Sequence, residues 1–134
     1  MLESNGIPPK LKGYECEELI CQQYWQGGKL TKELDVLFIK SHNRWHQLFF
    51  ENNTIFWRSA VDPPTAYEEN ESDLFRYPLV DLGAKYGVKG QLIDDYEVEP
   101  MVHGEKVRFT FEKGDKVVCF CVDNETRIQY IKPD

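Results

Sequence analysis

A chain of 134 residues, 41% hydrophobic and 29% charged, is one domain in length; it is too apolar for wholesale disorder and can bury roughly two-thirds of its unfolded surface without covalent staples. Its 13% aromatic content suits strands better than helices. The net charge of −7 disfavours binding to phosphate backbones, and no apolar run approaches the ~18 residues of a membrane span, so neither nucleic acid nor membrane is expected as a partner.

Residues 1–12 hold Gly6, Pro8 and Pro9 without periodicity and read as an extended or flexible tail. No apolar signal run occurs in MLESNGIPPKLKG, which implies a cytoplasmic protein with Cys16, Cys21, Cys119 and Cys121 as buried thiols. The stretch Gly13 to Trp25 is ambiguous, because Cys16, Leu19, Ile20 and Tyr24 fit a helix while Leu19, Cys21 and Trp25 fit one face of a strand. Gly27-Gly28 can stop the first or turn the second.

The densest apolar run, Trp45 to Arg58, has Asn52-Asn53 at its centre. A two-residue turn there pairs Phe50 with Ile55, Phe49 with Phe56 and Leu48 with Trp57. The strand Asp35 to Ser41 joins if Asn43-Arg44 is the preceding turn, which gives the rows Ile39/Leu48/Trp57 and Leu37/Phe50/Ile55 on one face and Phe38/Phe49/Phe56 on the other.

Asp62 to Glu99 holds ten carboxylates and three bases, so the whole net charge sits there and the rest of the chain is neutral. Within it, Asp62 to Tyr77 reads as a long acidic loop with one helical turn near Ser72 to Phe75. A second meander follows, with Val107 to Glu112, Lys116 to Val122 and Thr126 to Ile131 separated by turn signals at Gly114-Asp115 and Asn124-Glu125. Those turns set Phe111/Val118, Phe109/Phe120 and Val107/Val122 on one face, and Cys121/Ile128 and Cys119/Tyr130 on the other.

Leu11-Lys12-Gly13 and Val88-Lys89-Gly90 precede the two meanders, and Glu51-Asn52-Asn53-Thr54 matches Asp123-Asn124-Glu125-Thr126. These correspondences point to an internal duplication, residues 13–61 and 88–131 joined by the acidic loop 62–87, and they make Gly13 to Trp25 a strand. The expected fold is all-β and mainly antiparallel, about eight strands in two four-stranded units within a single domain, 13–134, as a sandwich or a barrel.

Chemistry-bearing patterns are sparse. His42 and His46 flank the expected turn and lose the shared face that a helix would give them. Cys119 and Cys121 share a strand face, but no second pair completes a tetrahedral set, so no metal or other cofactor is expected. No nucleophile elbow or phosphate loop occurs, since GAKYGVKG lacks the Gly-Lys-Ser/Thr context. The reading is a non-enzymatic protein-binding module, comparable in composition alone to small acidic inhibitor or immunity-type domains. Its candidate binding residues are Glu68, Glu69, Glu71 and Asp73, facing a basic protein, with Trp45 and Arg58 on the neighbouring aromatic face. The alternative is a barrel enclosing a small ligand, lined by residues such as Trp25, Trp45 and Tyr130, or a hydrolase using Asp94, Asp95 and a histidine.

Overall fold

The computed structural model describes residues 3–52, 54–68 and 74–134. The strands are β1 (Glu3–Asn5), β2 (Glu18–Gln26), β3 (Lys29–Ser41), β4 (Arg44–Glu51), β5 (Thr54–Val61), β6 (Tyr67–Glu68), β7 (Phe75–Tyr77), β8 (Leu79–Asp81), β9 (Ile93–Met101), β10 (Gly104–Phe111), β11 (Lys116–Val122) and β12 (Glu125–Ile131), with one helical turn, α1 (Leu82–Lys85). They form two sheets, ordered β1-β5-β4-β3-β2-β7-β6 with β8 also on β2, and β12-β11-β10-β9. All pairings are antiparallel except β1 on β5. The architecture is a two-sheet sandwich and not a closed barrel.

Tight turns whose residues tolerate positive φ join the hairpins: Gly27-Gly28 (57° and 78°), His42-Asn43 (54° and 57°) and Asp123-Asn124 (51° and 64°). The stretch before Trp25 is therefore a strand of a hairpin, because two glycines in the left-handed region turn the chain back where a helix would need only one. The β4–β5 register is the expected one, Leu48↔Trp57, Phe49↔Phe56 and Phe50↔Ile55. Asn53, in the expected turn, lies outside the described residues.

Three other registers differ from expectation. The β3–β4 turn is His42-Asn43, not Asn43-Arg44, so Leu37 rather than Ile39 lies opposite Leu48, and Ile39 lies opposite His46. A slip of two keeps every side chain on its face. Between β10 and β11 the connection is the longer Glu112–Asp115 loop, closed by Phe111 N–H donating to Asp115 O and Gly114 N–H to Phe111 O. Val107 then pairs with Cys119 and Phe109 with Val117, an odd shift that turns Cys119 and Cys121 onto the Phe109 face and Val118 and Phe120 away from it. The last turn is Asp123-Asn124, not Asn124-Glu125, which sets Ile128 opposite Cys119 without changing face.

Residues 62–87 are not a plain loop. They contain β6, β7, β8 and α1, a helical turn at Leu82–Lys85 with Asp81 accepting from Ala84 N–H; of the expected turn at Ser72 to Phe75, Phe75 instead begins β7, and Ser72 and Asp73 lie outside the described residues.

The core lies between the sheets. Leu19, Leu37, Ile39, Leu48, Ile55 and Trp57 from the first sheet meet Ile93, Val107, Phe109, Phe111, Val117 and Cys119 from the second, all at 0–2% exposure. Trp57 stands 5.9 Å from the Tyr96 ring, and Leu34 N–H donates to the Thr126 hydroxyl where β3 meets β12.

The two halves are tied by a matched pair of turns. Tyr14 N–H donates to Leu11 O (3.0 Å) and Gln91 N–H to Val88 O (3.1 Å), with Gly13 and Gly90 at φ of +86° and +89°. The turns bond to each other: Gly13 N–H to Ile93 O and Gly90 N–H to Cys16 O, Ile93 N–H to Tyr14 O and Cys16 N–H to Gln91 O, all 2.7–2.8 Å. Each bond becomes its counterpart when 13, 14 and 16 are exchanged with 90, 91 and 93.

Candidate functional site

Strand alternation in the first sheet leaves an outer face bearing Val36, Phe38, Trp45, Gln47, Phe49, Phe56 and Arg58. Phe49 and Phe56 stack at 4.9 Å, and Phe38 meets Trp45 edge-on at 6.5 Å. The chain leaving β5 must reach the far side of β2, where β7 and β8 pair, and it crosses this outer face: Gln22 Nε2 donates to Thr65 O, and Pro63, Pro64 and Thr65 border a depression floored by Phe38 and Gln47. Phe38 is buried there, whereas Trp45, Phe49 and Phe56 remain half-buried. A second depression of about 300 Å³ beside Phe49 is bordered by Lys32, Asp35, Val36 and Glu51.

The expected binding residues divide. Trp45 lies on the outer face, paired with Lys40, whose ammonium stands 6.0 Å from its ring. Arg58 is on the same face, but its guanidinium donates to Asn5 Oδ1 (2.8 Å) and Trp57 O (2.7 Å), holding β1 to β5. The Glu68 backbone pairs with Arg76 in the β6–β7 ladder. Glu69, Glu71 and Asp73 lie outside the described residues.

Several other carboxylates of the acidic stretch are engaged within the fold. Glu97 pairs with Arg108, and Glu99 with Lys106 (3.2 Å) and Arg108 (3.3 Å), across the β9–β10 ladder. These cations hold the Glu99 carboxyl below its ordinary range, with the Lys106 hydrogen bond the largest cause. Asp95 Oδ1 accepts from Tyr96 N–H at the start of β9, while His103 turns the chain at the other end of that strand and His42 and His46 lie in the first sheet, so Asp94, Asp95 and a histidine are not brought together. Nor do Trp25, Trp45 and Tyr130 line one interior: Trp25 lies under Arg76, Trp45 is on the outer face, and Tyr130 stacks on Tyr86 at 4.6 Å. Among the described residues no group of three or more His, Cys, Asp or Glu is placed to hold a metal, and no helix is long and apolar enough to cross a membrane. Burial pushes the Cys16 and Cys21 thiols up to about 12.

A second site was not anticipated from the sequence. Ser41, His46 and Ser59 continue the inward rows Ile39, Leu48 and Trp57 past the end of the core, where residues 7–10 and Tyr14 form the opposite wall of an open cleft of about 470 Å³. His46 Nδ1 and Ser59 Oγ share a 2.9 Å hydrogen bond in the same register as Leu48 and Trp57, next to a bulge between Trp45 and His46 where Ala60 takes φ +55°. His46 is 8% exposed, and burial, then the Arg44 cation, lower its pKa and favour the neutral ring. Ser41 is 1% exposed, and its hydroxyl has no hydrogen-bond partner among the described residues. Lys10 and Arg44 stand at the mouth. The signal was parity: three polar residues occupy positions whose neighbours two along are core. A nucleophilic Ser59 would need a third group orienting the imidazole and donors for an oxyanion, and the described residues supply no hydrogen bond to His46 Nε2.

No protein-family model, no curated protein and no solved structure matches this chain.

Proposed function

We propose that the chain is a non-enzymatic module that binds a basic protein through the outer face of the first sheet and the acidic segment that follows β5. The observation that carries this reading is the distribution of apolar surface: the apolar side chains between the sheets form a buried cluster, while Trp45, Phe49 and Phe56 are left half-exposed on the outer face. Aromatic rings anchored in a sheet contribute contact area at low entropic cost. Charge complementarity favours a basic partner, because the sequence between Arg58 and Arg76 carries Asp62, Glu68, Glu69, Glu71 and Asp73 with no base.

Internal engagement of Glu97, Glu99 and Asp81 removes them from this role, and the sequence after β5 holds the densest run of the other acidic residues. The matched turns at Gly13 and Gly90 further support an origin of residues 13–61 and 88–131 by duplication, with the crossing segment an addition to the first half.

The test is capture of a partner followed by affinity measurement with purified components. Trp45→Ala, and the joint reversal of Glu68, Glu69, Glu71 and Asp73 to Lys, should each weaken binding, with the unfolding midpoint measured alongside to show that both variants are folded. A captured protein indifferent to both variants would remove this face from consideration.

A further inference from the structure

Counted from the final turn of each half, the His46/Ser59 cleft has a counterpart in the second half that is filled. The turn-proximal pairs are Glu51↔Thr54 and Val122↔Glu125, and five residues back in each ladder stand His46↔Ser59 and Val117↔Tyr130. One strand further, Ile39 lies opposite His46 and Phe109 opposite Val117, so Ser41 corresponds to Phe111 and Arg44 to Asp115. Tyr14 corresponds to Gln91, each the last residue of its matched turn.

In the second half these positions form a closed unit. Phe111 is buried, the Tyr130 hydroxyl donates to Asp115 Oδ2, and Gln91 Nε2 donates to Asp115 Oδ1 (3.1 Å). Two aromatic rings and a carboxylate thus occupy the place, with the acid satisfied by the groups around it. In the first half the two rings are replaced by Ser41 and Ser59, the carboxylate by the cation Arg44, and the volume they would fill is open. A buried hydroxyl without a partner, at the floor of an open and partly apolar cleft with two cations at its rim, is costly unless a ligand meets it.

We propose that this cleft binds a small aromatic carboxylate. The ring occupies the place held by the Phe111 and Tyr130 rings in the other half, packing on Tyr14 and the wall formed by Pro8 and Pro9. The carboxylate lies at the mouth against Arg44 and Lys10, which take part in no ion pair among the described residues. A polar substituent on the far side of the ring points to the floor, where Ser41 lies buried. This site opens on the core side of β3–β5 and is independent of the outer face proposed for protein binding.

The probe is 4-hydroxybenzoate, titrated into the full chain at millimolar concentration and followed by nuclear magnetic resonance, with 4-hydroxybenzamide as the neutral isostere and inorganic phosphate as the bare anion. The expected result is saturable shifts at the Ser41 amide and the His46 ring. Affinity should fall about tenfold in Arg44→Gln, as for loss of one charge-assisted contact, and by a similar factor for the amide. Ser59→Tyr, at an exposed position, should refill the cleft as Tyr130 does and abolish the shifts while the rest of the spectrum stays folded. Absence of saturable shifts, equal binding of the benzamide, equal binding of phosphate, or indifference to Arg44→Gln would each overturn the proposal.

Discussion

Trp57 is the largest fully buried side chain, 1% exposed and packed on Tyr96 between the sheets. Replacing it by Ala removes that packing and leaves a cavity, so Trp57→Ala should cost about 3–5 kcal/mol, read as a lowered denaturant midpoint; a midpoint equal to wild type would contradict the register that places it inside. Glu105 is the opposite kind of residue, a carboxyl 2% exposed with Oε1 lacking a partner, and burial raises its pKa from the ordinary 4.5. An acid whose pKa is raised on folding binds more protons in the folded chain, so its contribution makes stability rise as pH falls from neutral through the folded pKa, levelling near the unfolded value. Glu105→Gln removes that titration, and unfolding midpoints measured across this window should rise less on acidification than those of wild type; an unchanged pH slope would show that Glu105 reaches solvent.

Among the elements, the matched turns carry the prediction with the clearest backbone cause. Gly13 and Gly90 both adopt φ near +90°, where a Cβ is strained, although neither meets a neighbouring atom within 4 Å. Gly13→Ala and Gly90→Ala should therefore each cost about 1–2 kcal/mol through conformation alone, and thermal unfolding of the two variants should show losses of similar size. How far the elements could be read from sequence follows the turns. The β4–β5 register was legible because a two-residue connection fixes pairing, whereas Glu112–Asp115 hides a four-residue loop behind the same Gly-Asp signal, and its odd shift moved Cys119 and Cys121 to the other face. The β1 strand and the β7–β8 edge were missed because they are three residues long and take their order from a partner strand rather than from periodicity. The Ser41, His46 and Ser59 cleft was hidden for a related reason: the histidine spacing was weighed as a metal pattern, while the informative feature was its parity with Leu48 and Trp57.

At the scale of the whole molecule, two antiparallel meanders and an acidic connection were legible in the sequence, and the sheet order explains why the chain after β5 crosses an aromatic face: β4, β3 and β2 lie between β5 and β7. A buried apolar cluster between the sheets and half-exposed rings outside them are the grounds on which the outer surface is proposed as a binding face. The candidate residues were legible as charge and aromaticity, but their roles were not, since Arg58 is engaged in holding β1 and only Trp45 is left on the face without a structural hydrogen bond. The most direct measurement is the affinity of a purified basic partner for the wild-type chain and for the variant with Glu68, Glu69, Glu71 and Asp73 all changed to Lys, each across a range of salt concentrations. Binding through the acidic segment predicts weaker affinity for the variant and a flatter dependence on salt; the same affinity and the same salt slope in both chains would contradict it.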